Sequence, residues 1–211
     1  MLFYGKRLLF IGAHPDDIEI GAGALIAHTV NQTDITCVTL SDNKKNPTLQ
    51  NLVNEHYKSM EKLGVPKNNT ILCEFETRRF PEQRQEILEY LISLNSSYKP
   101  DIVFTHTGAD IHQDHVATMK EVLRAFRGTT VLGFDVLRST YGFFPNFLVE
   151  VTETDVNKKI AALAQYKTYA TKYYLSEEIT KATLVRHGAL AERTYAEGFD
   201  ILRIIGRFGE L

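Results

Sequence analysis

Short runs of almost unbroken apolar residues recur along the chain: Leu8 to Ala13, Ile35 to Leu40, Thr70 to Phe75, Ile102 to Thr105, Thr130 to Phe134, Phe147 to Val151 and Ile201 to Ile205. Several lack the in-and-out alternation of a strand with one wet face. Strands apolar on both faces belong in a parallel sheet covered on both sides. Helix-like stretches fall between them: Ala22 to Val30, Leu49 to Leu63 with Gly64 and Pro66 as stop signals, Pro81 to Leu94, and Val116 to Phe126 before Gly128. Val156 to Thr171 and Ser176 to Arg186 complete the predicted helices. This alternation, joined by right-handed crossovers, predicts an α/β fold: a Rossmann-like, doubly wound, mostly parallel sheet with helices on both faces. No linker or shift in composition divides the 211 residues, so a single domain over 1–211 is expected.

The formal net charge of -2 argues against a nucleic-acid partner, which would ask for a strongly basic face, and favours a small-molecule ligand. Cys37 and Cys73 have neither zinc-knuckle nor redox-pair spacing and are expected to be buried, reduced thiols. Lys6 and Arg7 precede an apolar run too short for a signal sequence, and no apolar segment reaches membrane-spanning length. A soluble, cytoplasmic protein with no membrane span is the expectation.

Two strand ends deliver imidazoles and carboxylates. His14-Pro15-Asp16-Asp17 directly follows the first apolar run, and His112-Gln113-Asp114-His115 comes shortly after Ile102-Val103-Phe104. In a Rossmann-like order the first and fourth strands are neighbours at the switch point, where ligands bind beyond the carboxyl ends. The two clusters are therefore expected to meet. His14 and Asp17, three positions apart at a strand-to-helix turn, can aim at one point, and His115 can complete a three-ligand set with a fourth position open. Zinc in such a site lowers the pKa of bound water from 15.7 to about 7 and polarises a carbonyl. Asp16 is then placed to take a proton from water and hand it to a leaving amine. His112, oriented by Asp114, is a candidate oxyanion donor or acid, and Asp110 a candidate hydrogen-bond partner behind one of the imidazoles. Taken alone, either cluster could be a turn or a helix start; together, at the ends of adjacent strands, they point to a metal site.

The motif Ala13-His14-Pro15-Asp16-Asp17 followed by Glu19-Ile20-Gly21-Ala22-Gly23, with Asp110-Ile111-His112-Gln113-Asp114-His115, resembles the paired signatures of the PIG-L or LmbE-like zinc-dependent N-deacetylases. Leu63-Gly64-Val65, Lys99-Pro100-Asp101 and Tyr195-Ala196-Glu197-Gly198-Phe199 extend the likeness from about residue 7 to residue 205. The resemblance implies an LmbE-like fold, with His14, Asp17 and His115 as Zn2+ ligands and Asp16 as general base. His112 with Asp114 would serve the tetrahedral intermediate. It also implies a substrate that is an N-acetylated amino sugar, such as N-acetylglucosamine, or its conjugate. Fe2+ also suits a His/His/Asp set. Leu52 and His187-Gly188 stand where many members carry an Arg and an Arg-Gly pair, so the substrates of mycothiol-type or bacillithiol-type enzymes do not carry over.

Candidate substrate contacts follow the carboxyl ends of other strands. Ser41 and Asp42 come after the second, Arg78 and Arg79 after the third, where an arginine can clamp phosphate or carboxylate; turn chemistry and a solvated pair are the plain alternatives. The aromatic stretch Tyr141 to Phe147 suits a sugar pocket, ordinary core packing, or a subunit contact that would make a homo-oligomer. Tyr166, Tyr169, Tyr173 and Tyr174 fall at helical spacing as a packing stripe. Two other functions stay open: a metal hydrolase of another amide or ester, and a non-catalytic Rossmann-type binding module. Against the second, Ile26 stands where the third glycine of a dinucleotide fingerprint begun at Gly21 and Gly23 should be.

Overall fold

In the computed structural model, which describes residues 3–206, strand β1 (Arg7–Gly12) is apolar on both faces because each face meets its own core. Leu8 and Phe10 pack with Ile18, Leu25 and Ile26, whereas Leu9 and Ile11 pack with Ile87, Leu91 and Val122. Each such side chain, fully buried, contributes about 1.5–3 kcal/mol. The first core lies under helices α1 (Asp17–Thr29), α2 (Leu52–Leu63) and α5 (Glu153–Leu163), the second under α3 (Arg84–Tyr98) and α4 (Gln113–Ala125). The other strands are β2 (Asp34–Thr39), β3 (Thr70–Leu72), β4 (Ile102–His106), β5 (Thr130–Phe134), β6 (Phe147–Glu150) and β7 (Ala196–Arg203), with α6 (Glu177–Leu190) before β7.

The sheet has seven strands in the order β3-β2-β1-β4-β5-β7-β6. Strands β1 to β5 are parallel, and β7 runs antiparallel to both β5 and β6. This is the doubly wound, mostly parallel arrangement expected, with β1 and β4 side by side at the switch point. Among the described residues, no helix is long and apolar enough to cross a membrane. Cys37 is buried and Cys73 half-buried, and both are free thiols.

Several boundaries differ from the sequence reading. Helix α1 begins at Asp17 rather than Ala22, so the first cluster lies at its N-terminus. Helix α3 runs on to Tyr98, with the Ser96 and Ser97 hydroxyls donating back to the Ile92 and Ser93 carbonyls; it ends at Lys99, in a left-handed conformation before Pro100. The predicted helix Val156 to Thr171 stops at Leu163. Beyond it, Tyr166 is drawn into the interior by hydrogen bonds to Glu19 Oε1 (2.5 Å) and His56 Nδ1 (2.8 Å), and Thr168 donates its amide to the Glu55 carboxylate at 3.1 Å. These bonds hold two short 3-10 turns instead of a helix, so the tyrosines form no continuous stripe. Tyr166 and Tyr169 are buried and stacked, Tyr173 is exposed, and Tyr174 faces a cavity. The last strand starts at Ala196 because its first half is the buried half.

Helix α1 is held against the sheet and α5 by a buried ion pair. Lys159 Nζ donates to Glu197 Oε1 and to the Ile20 carbonyl, both at 2.6 Å, and the Glu197 carboxylate accepts the Ala24 and Leu25 amides. Close approach to the sheet also requires Gly21, where a Cβ would lie 2.3–2.7 Å from the Phe134 side chain. Gly21→Ala is expected to cost about 1–3 kcal/mol of stability through overpacking. A urea titration followed by circular dichroism checks this, and an unchanged midpoint would mean the Phe134 ring moves aside freely.

Candidate metal centre and active site

Ala13 to Asp17 leave the carboxyl end of β1, and residues 107–115 leave that of β4, so strand pairing brings the two clusters together. His14 Nδ1 lies 3.3 Å from His115 Nε2 and 3.5 Å from Asp17 Oδ2, and His115 Nε2 lies 3.4 Å from the same Asp17 oxygen. A tetrahedral zinc ion with bonds of about 2.0–2.1 Å sets its donor atoms about 3.4 Å apart. The three donors thus have the separation that such an ion requires. Two histidines and one carboxylate are also the donor set of a catalytic zinc site with a position left for water.

Each imidazole has a carboxylate behind it. His14 Nε2 is 2.9 Å from Asp114 Oδ2, and His115 Nδ1 is 2.7 Å from Asp110 Oδ2, which also accepts from Ser139 Oγ at 3.1 Å. With those nitrogens donating to the carboxylates, the lone pairs of His14 Nδ1 and His115 Nε2 face the triangle. His106, fully buried, also approaches Asp17 Oδ2, at 3.4 Å, and could stand as an alternative donor with Asp17 and His115. Its Nε2, however, accepts the Ala13 amide at 3.0 Å, which occupies that lone pair, and its ring stacks on His115 with centroids 3.9 Å apart. It supports the centre by packing.

Electrostatics favour a cation at the triangle. Burial would lower the pKa of His14, but the Asp114 and Asp17 carboxylates outweigh it and hold the pKa up at about 9. Asp17 is driven far below the usual carboxylate range, against burial, by His115, His106 and His14. Asp16 behaves in the opposite way: burial, then the neighbouring Asp17 charge, push its carboxyl well up, and Lys172 opposes the rise. Its backbone sits in the left-handed region (φ 99), which costs a non-glycine residue about 1–3 kcal/mol. Among the described residues nothing hydrogen-bonds to its carboxylate, and it lines a cavity of about 800 Å³ together with His14, Asp17, His112 and His115. Strained and unpartnered, it faces the space where a substrate would lie.

The second cluster corrects one expectation. The carboxylate of Asp114 does not orient His112; it accepts from His14 Nε2, from the Arg78 amide (2.6 Å) and from the Phe80 amide (3.3 Å). The backbone amide of Asp114 orients His112 instead, donating to its Nδ1 at 3.2 Å. This leaves the His112 proton on Nε2, and burial followed by the His115 charge lowers the pKa to about 4, so the ring is neutral with one N–H to give.

Among the predicted substrate contacts, Ser41, Asp42 and Arg78 line the cavity. Ser41 Oγ bonds Thr77 Oγ1 at 2.8 Å, and Asp42 is engaged by Lys44 Nζ at 2.8 Å. Arg79 is not brought in: it pairs with Glu82 on the surface at 2.7 Å. Arg78 has positive φ (69), and its carbonyl accepts from Gln113 Nε2 at 2.6 Å. Sequence reasoning passed over Arg138, Lys172 and Tyr174, which complete the wall. Position after the carboxyl end of β5 could have flagged Arg138; nothing in the pattern marks Lys172.

The model of the PIG-L family, described as GlcNAc-PI de-N-acetylase, matches residues 9–126. The uncharacterized deacetylase YaiS of Escherichia coli (strain K12) is 30% identical over 170 residues, covering 77% of this chain and 91% of that protein. The N,N'-diacetylchitobiose deacetylase from Pyrococcus horikoshii superposes with a TM-score of 0.73 at 19% identity, over 93% of this chain and 84% of that one. The 4-carboxy-2-hydroxymuconate hydratase GalB from Pseudomonas putida KT2440 gives a TM-score of 0.74 at 19% identity, over 97% and 100%. At such identities the likeness to these structures establishes the fold.

Asp110→Asn keeps the shape behind His115 and removes its charge. It is expected to weaken zinc binding about 10–100-fold with the fold retained. Competition against a chromophoric chelator reads the affinity, and unchanged affinity would show that Asp110 does not support the ligand.

Proposed function

This chain belongs to the PIG-L family of de-N-acetylases, and from that premise we propose that it is a metal-dependent deacetylase removing the N-acetyl group from an amino sugar or its conjugate. The observation that carries the reading is the triangle of His14 Nδ1, Asp17 Oδ2 and His115 Nε2, with edges of 3.3–3.5 Å. A divalent ion held by these three, zinc by donor type with Fe2+ chemically acceptable, would supply Lewis acidity to water and to the acetamide carbonyl.

The remaining steps belong to the protein. The Asp16 carboxylate, free of hydrogen bonds and facing the cavity, takes a proton as a water oxygen attacks the acetyl carbon. His112 donates its Nε2–H to the carbonyl oxygen as negative charge gathers there, which is why a neutral imidazole suits the position. Asp16 then returns the proton to the amide nitrogen, the C–N bond breaks, and acetate and a free amine leave. Ser41 and Arg78 are the wall residues offered to substrate hydroxyl or anionic groups.

The test is acetate release from a panel of free and conjugated N-acetyl sugars by zinc-loaded protein. Asp16→Asn should keep its metal while kcat falls about 10²–10⁴-fold, and His115→Ala should lose metal. Absence of acetate from every sugar would overturn the reading; wild-type turnover in Asp16→Asn would remove Asp16 as the base.

A further inference from the structure

The basic side chains around the cavity fall into two kinds. Lys44 is neutralised by Asp42 and Glu74, at 2.8 and 3.5 Å, and Lys45 by Glu76 at 2.6 Å. Among the described residues, Arg78, Arg138 and Lys172 have no carboxylate in ion-pairing reach, although all three line the same cavity as Asp16, and the last two are neighbours. Both lie near one ring: Lys172 Nζ is 5.7 Å and Arg138 Cζ 5.8 Å from the centroid of Tyr174. Lys172 Nζ also lies 3.1 Å from the centroid of Tyr169. Burial and the Arg138 charge lower the pKa of Lys172, while Asp16 works the other way.

Two like charges near each other, Lys172 half-buried and Arg138 exposed, repel. Aromatic faces attract cations without neutralising them, and surface ion pairs are easily supplied by sequence, as Lys44 and Lys45 show. An arrangement that leaves these two cations without an ion-pair partner, Lys172 answered only at longer range by Asp16 and Asp17, is one that a bound anion would relieve. Arg138 offers the planar fork that matches phosphate or carboxylate oxygens, and Lys172 a point charge. Asp16, Lys172 and Arg138 line one cavity, so an anion bound here and an acetamide at Asp16 can belong to one small molecule.

We propose that Lys172 and Arg138, both beside the ring of Tyr174, form a subsite for an anionic group, phosphate or carboxylate, carried by the acetylated substrate itself. The inference rests on the deacetylase reading for what lies at the other end of that substrate, but binding can test it without turnover. The alternative role for Lys172 is to hold the Asp16 charge, which would serve neutral and anionic substrates alike.

Dissociation constants of the zinc-loaded protein are measured by calorimetry for N-acetylglucosamine, its 1-phosphate, N-acetylmuramic acid and inorganic phosphate, with kcat/KM wherever acetate is released. The wild type should bind the two anionic sugars on the order of tenfold or more tightly than the neutral one. That preference should shrink as ionic strength rises. The ratio of anionic to neutral binding should collapse towards one in Lys172→Gln/Arg138→Gln and return in Lys172→Arg/Arg138→Lys, which keeps both charges and controls for folding. Equal affinities in the wild type, a preference that survives in the Gln double variant, or losses equal for neutral and anionic sugars would overturn the proposal. So would binding of inorganic phosphate without preference for either anionic sugar. A preserved binding preference with no acetate released would leave the subsite standing and remove the deacetylase reading.

Discussion

The site depends on one pairing, that of β1 with β4. Leu8, Leu9 and Phe10 lie opposite Ile102, Val103 and Phe104, and the rings of Phe10 and Phe104 stack with centroids 4.5 Å apart and planes 11° from parallel. A slip of one residue would shift a strand by about 3.3 Å along its axis and turn its side chains to the opposite faces. The donor triangle has edges of that same length, so no slipped register could preserve it. A purely apolar match in the sheet therefore fixes the position of polar atoms about a hundred residues apart in sequence. The connection after β4 is anchored a second time on β5 and the loop beyond it, through the Thr107 amide on the Phe134 carbonyl (2.8 Å) and the Ile111 amide on the Ser139 carbonyl (3.0 Å).

On this frame the protein gathers carboxylates and imidazoles that would not assemble for their own sake. Buried charge is costly unless paired and hydrogen-bonded. Asp17, Asp110 and Asp114 meet that condition through imidazoles and backbone amides. Asp16 does not: it lacks partners, and its backbone is left-handed. The strain at that one residue is small against the burial energy of Ile18, Leu25 and Ile26 within the first three turns of the helix that follows, which holds the turn in place. Stability is thus concentrated in α1 and the sheet, and the strained, unpartnered carboxylate stands immediately before α1.

Much of this was legible in the chain. Apolar runs without alternation gave away a parallel sheet covered on both faces, and the strand order then made the convergence of His14, Asp17 and His115 a geometric consequence. What sequence proximity obscured was which atoms of a cluster act on which neighbour. Asp114 sits two positions from His112, yet only its backbone amide serves that ring; its carboxylate reaches back to His14. The path after α5 was equally hidden. Its helical spacing is overridden by contacts that no local pattern contains, the Tyr166 hydroxyl on Glu19 and His56 and the Thr168 amide on Glu55. Lys172 lies on that stretch, so its place beside Asp16 could not be read from periodicity.

The walls of the cavity differ in how firmly they are tied to the centre. The Arg78 loop is bound directly to it, since the Asp114 carboxylate that supports His14 also accepts the Arg78 and Phe80 amides. A change in that loop would disturb a metal-facing imidazole. The Arg138 loop is tied in the same way, since Ser139 donates to the Asp110 carboxylate that supports His115, whereas Lys172 hangs from a connection attached more remotely, through Thr168 to Glu55. Substitutions at Lys172 can alter the cavity wall without moving a donor atom. The donor triangle fixed by β1 and β4 can therefore be combined with different cavity walls through the turns after α5, which places the freedom to vary on the side of the cavity that carries Lys172.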